Sequence, residues 1–87
     1  MMRFNGISLT DATIKATRQH FADIHTARIR EVQNGAVKLP SHVSESEYFA
    51  SCGRHAQESL NGMRDNSVTF LQRAYWIQTG KDVALLP

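Results

Sequence analysis

The chain has 87 residues, 41% of them hydrophobic, and a formal net charge of +2. That length holds one domain, residues 1–87, with a modest core, because a chain this size buries only about 60–65% of its unfolded surface. A single cysteine, Cys52, excludes an internal disulfide framework, and no stretch of roughly 18 apolar residues suits a transmembrane helix.

The opening segment MMRFNGISLT also lacks the long apolar run of a secretory signal. The expectation is a soluble, cytoplasmic protein with no membrane partner. Charge is unevenly spread. Residues 1–40 carry six basic groups against three acids, and residues 41–87 carry four against five. Any electrostatic footprint for an anionic partner therefore falls on the first half.

Asn5-Gly6 reads as a turn closing a short N-terminal arm. Thr10 or Asp11 can cap a first helix, which runs to about Gln33 and ends at Asn34-Gly35. Ile14, Phe21, Ile24, Ile29 and Val32 line its apolar face, with Thr17 and Ala22 at the edges. Pro40 marks a linker. Ser44 and Glu47 then form an S-x-x-E capping box, starting a second helix from about Glu45 to Met63 or Arg64. Tyr48, Phe49, Cys52, Ala56, Leu60 and Met63 line its apolar side. Ser51, Gly53, Ser59 and Gly62 offer small surfaces for a neighbouring helix.

The segment Asp65-Asn66-Ser67 restarts the chain, and Gly80 ends a third helix. This helix, VTFLQRAYWIQ, is apolar nearly all round. Val68, Leu71 and Tyr75 share one face, while Phe70, Ala74 and Ile77 point largely the other way. The tail DVALLP is apolar, suited to packing on the bundle or pairing with the N-terminal MRF. The fold class expected is all-α: a small three-helix domain with a short N-terminal arm and an apolar C-terminal tail, its helices antiparallel neighbours.

Chemistry is sparse. Cys52 and His55 lie three apart on one helix face, a spacing that serves two zinc ligands or a nucleophile and its base. The further ligands could come only from His20, His25, His42 or a carboxylate, and no second paired motif supplies them. Cys52 also falls among Tyr48 and Phe49, where a thiol behaves as a small apolar group. His20 and Asp23 form a polar-face pair and His25 sits at the apolar edge, which suits solvation and core packing. No hydrolase, metalloprotease or phosphate-loop motif is present. The sequence therefore assigns no catalytic residue, no metal and no cofactor.

Two binding readings remain. The segment from Ile14 to Pro40 resembles a helix-turn-helix unit at Ala16 and Ile29, though His20 stands where the turn usually has glycine. In that reading Arg28, Arg30 and Lys38 contact phosphates and Thr26 lies near base edges. The preferred reading is a non-enzymatic interaction or regulatory module. It binds a partner protein, or a second copy of itself, through Phe70, Arg73, Trp76 and Ile77 of the third helix. Leu71 and Tyr75 are then expected to face the core.

Overall fold

The computed structural model describes residues 2–83. It contains a small hairpin and three helices. Strands β1 (Arg3–Phe4) and β2 (Ile7–Ser8) pair antiparallel, with Arg3 opposite Ser8 and Phe4 opposite Ile7. Asn5 and Gly6 both adopt positive φ, 51° and 82°. A two-residue turn of this hand matches strand twist, and asparagine and glycine tolerate it best. The arm is thus a hairpin. Arg3 and Phe4 pair with β2; the sequence offered packing on the bundle or pairing with this segment for the tail. Residues 84–87 of that tail lie outside the described residues.

Helix α1 spans Asp11–Gln33, with the Thr10 side chain accepting from the Thr13 amide at 3.1 Å. It is one uninterrupted helix of 23 residues, about 35 Å long. It passes straight through His20, so the turn that a helix-turn-helix unit requires is absent. Helix α2 spans Glu45–Leu60 and is capped by Ser44, as the S-x-x-E pattern predicts. Helix α3 spans Val68–Thr79, capped by Ser67 at one end and by Gly80 at the other.

The chain retraces α1 in two successive pieces. The His55 ring of α2 lies 5.4 Å from that of His25, and the Phe70 ring of α3 lies 6.1 Å from that of Phe21. At the far end of α3, the Gln78 side chain accepts from the Thr10 amide and donates to the Ser8 carbonyl, both at 2.9 Å. Helices α2 and α3 therefore cover different halves of α1. Among the described elements they pack on α1 and not on each other. The result is elongated, 46 × 28 × 20 Å.

Helix α2 stops at Leu60, one turn before the sequence suggests. Asn61 caps it and Gly62 takes a φ of 82°. A Cβ at Gly62 would sit 2.6 Å from Nη2 of Arg18, so the break and the side chain of α1 interlock. Arg18 in turn holds Asp65. Its Nε lies 3.1 Å from both carboxylate oxygens, and its Nη2 donates to Oδ2. Stopping early leaves Leu60 and Met63 exposed, although helical spacing placed them on the apolar side. The buried residues of α2 are Cys52, from that apolar side, and Ser59, one of the small residues expected to meet a neighbouring helix.

The main cluster combines Leu9, Phe70 and Ala74 with half-buried Met2, Phe4, Ile7, Ile14, Phe21 and Leu71. Asp65 is buried and its main partner is Arg18, so losing the charged pair leaves polar groups poorly satisfied. Asp65→Asn should lower the unfolding free energy by about 1–3 kcal/mol in urea titration. Glu58→Gln, at the exposed pair with Arg64, should change it by less than about 1 kcal/mol.

Candidate functional site

The all-round apolar character of α3 has a structural cause. One side packs on α1, where Phe70 is 1% exposed and Ala74 is fully buried. The Leu71 side packs on the hairpin cluster, with the Phe4 and Tyr75 rings edge-on at 6.1 Å. Two large apolar side chains of α3 remain outside: Val68 at 53% exposure and Trp76 at 42%. The expectation that Phe70 faces a partner is therefore overturned. It is among the most buried side chains, because its side of α3 packs on Phe21 of α1. Ile77 is half-buried. Leu71 and Tyr75 do lean on the core cluster, though neither is fully buried.

The other two expected contact residues lie together at the surface. The Arg73 guanidinium stands 4.9 Å over the Trp76 ring, a cation–π pair at i, i+3 on the helix. Both line a cavity of about 280 Å³ between α1 and α3, with His20, Ile24, Gln72 and Asp82. His20 packs edge-on against Phe21 at 5.1 Å. Burial, and then the nearby Arg73 charge, hold its imidazole below the usual pKa, against the opposing pull of Asp23. The Asp23 carboxylate accepts a hydrogen bond from Gln19 at 2.8 Å.

The basic candidates of the first half do not converge. The Thr26 hydroxyl donates to the Ala22 carbonyl within its own helix, at 3.0 Å. Arg28 lines a cavity at the junction of all three helices, whereas Lys38 lines a separate one in the loop after α1. Arg30 is exposed in the last turn of α1, where a cation complements the helix dipole.

Cys52 is buried. Burial first, and then Cys52 itself, push the hydroxyl of neighbouring Tyr48 above its ordinary range. His55 stacks near His25, and no hydrogen bond joins it to Cys52 among the described residues. No group of three or more histidine, cysteine or acidic side chains there could hold a metal ion. The buried thiol lacks the exposure that a reactive cysteine has.

The sequence singled out His25, Arg28 and His55 one by one but carried no signal that they meet Arg64 at one cavity. His25 and Arg28 come from α1, His55 from α2 and Arg64 from the loop that follows it. Only the antiparallel retracing of α1 brings them together.

Phe70→Ala should cost about 3–5 kcal/mol in denaturant titration, and Val68→Ala less than about 0.5 kcal/mol, since only the former opens a cavity. Native Cys52 should react slowly with a thiol reagent and quickly in denaturant, and Cys52→Ala should cost on the order of 1 kcal/mol.

This chain matches no family model, no curated protein and no solved structure.

Proposed function

We propose that this protein is a non-enzymatic interaction module whose contact surface is the exposed side of α3, centred on Trp76 and Arg73. The observation that carries the reading is the Arg73–Trp76 pair beside the α1–α3 cavity. Tryptophan and arginine are the side chains most enriched at binding hot spots. Stacked on each other they are already ordered, so less side-chain entropy is lost on binding.

The occupant proposed is a second copy of the chain. Of the larger apolar side chains described, only Leu9, Val32 and Phe70 are buried, while Val37, Leu60, Met63, Val68 and Trp76 are exposed. A small domain with so thin a core gains from burying such surface against a partner. The role proposed for the Phe70 face passes to Trp76 and Arg73, with Ile77 as half-buried support.

Sedimentation of the purified protein over a range of concentrations tests this directly. The expected result is a reversible dimer that Trp76→Ala and Arg73→Gln each weaken by about tenfold or more. The thermal midpoint of the dilute protein should shift by no more than about 2 °C, because neither side chain supports the core. Trp76 is the only tryptophan, so its fluorescence reports association without a label. A monomer at every concentration would overturn the self-association reading. Nucleic-acid binding that falls steeply with salt would instead favour the basic first half.

A further inference from the structure

The break between α2 and α3 opens a second cavity, of about 410 Å³, on the other side of Phe21 and Thr69 from the Trp76 groove. Four of its lining side chains are cationic or become so on protonation: His25 and Arg28 from α1, His55 from α2, and Arg64 from the following loop. Hydroxyls of Ser59 and Thr69 add neutral donors. No carboxylate among the described residues lines it. The acid nearest in effect is Glu58, whose carboxylate accepts from Arg64 in an exposed contact of 3.3 Å.

Burial, and then Arg28, His55 and Arg64, hold the His25 imidazole below its usual pKa, with Glu58 as the counterweight. The Nδ1 of His25 is buried and has no hydrogen-bond partner among the described residues. Like charges gathered around an open cavity, with donors and little acceptor capacity, have the chemistry of an oxyanion site. The volume exceeds what a bare inorganic ion fills and lies in the range of small-molecule pockets.

We propose that this junction cavity binds the phosphate group of a small anionic ligand. Arg28 and Arg64 donate to the phosphate oxygens, and the imidazoles of His25 and His55 supply further donors when protonated. The apolar wall at Phe21 accommodates an organic substituent. The site is independent of the Trp76 face and stands whether or not the protein dimerises. The linkage has a definite sign. An imidazole with a lowered pKa is neutral near pH 7, and a bound dianion favours its protonated form, so affinity rises as pH falls.

Imidazole resonances in proton–carbon NMR of the full chain provide the test, with inorganic phosphate, phenyl phosphate and sulfate as probes at constant ionic strength. Saturable shifts are expected at His25 and His55, with His42, outside the cavity, unmoved. Arg28→Gln and Arg64→Gln, both at exposed positions, should each weaken binding by about tenfold with unchanged circular dichroism. Sulfate keeps its charge across the range, so its affinity should rise several-fold from about pH 8 to about pH 6 through the imidazoles alone. Tighter binding of phenyl phosphate than of inorganic phosphate identifies an ester as the ligand, and equal binding identifies the free ion. Shifts that never saturate, or that affect His42 equally, would overturn the proposal. So would wild-type affinity in the two arginine variants.

Discussion

The pairing of Arg18 with Asp65 is the contact on which the architecture turns. It joins the middle of α1 to the loop that separates α2 from α3. Gly62 lies against the same guanidinium, and only a residue without a side chain fits there in that left-handed conformation. With the break pinned, α2 runs back along the C-terminal half of α1 and α3 along the N-terminal half. A continuous α2–α3 helix would carry the chain past α1 and strand Phe70 in solvent. Gln78 anchors the far end, satisfying Thr10 at the start of α1 and Ser8 at the end of the hairpin.

This arrangement makes α1 the single scaffold. Two helices that share a third but do not touch each other leave surface between and beside them, and both cavities follow from that. Phe21 and Thr69 stand between them. On one side lies the Arg73–Trp76 pair, on the other the His25–His55 pair with Arg28 and Arg64. The charge surplus of the first half contributes to the junction cavity only through Arg28. Arg64 comes from the acid-rich second half.

Much of the fold was legible because it is governed locally. Capping at Thr10 and Ser44 depends on a hydroxyl within reach of an amide three residues on, and the chain-end signals at Asn34-Gly35 and Gly80 depend on backbone freedom. These signals placed α1 and α3 within a residue or so. The end of α2 was missed because the competing influence is remote: Arg18 lies 47 positions from Asp65 in sequence. Of the candidate site, Arg73 and Trp76 were legible as contact candidates, but their stacking on each other was not. Phe70 was not, because both faces of α3 are equally apolar and periodicity cannot say which neighbour covers which.

The sequence by itself determined the helical class, the three segments, the turn at Asn5-Gly6 and the burial of Cys52. Each rests on contacts within about one or two helical turns, where residue type and spacing suffice. Tertiary structure alone decided that the hairpin covers the Leu71 and Tyr75 side of α3, that α1 buries Phe70 and Ala74, and that two arginines and two histidines meet at the junction. Those outcomes depend on which distant segments are brought together. Burial and charge are properties of that shared space, and no local pattern encodes them.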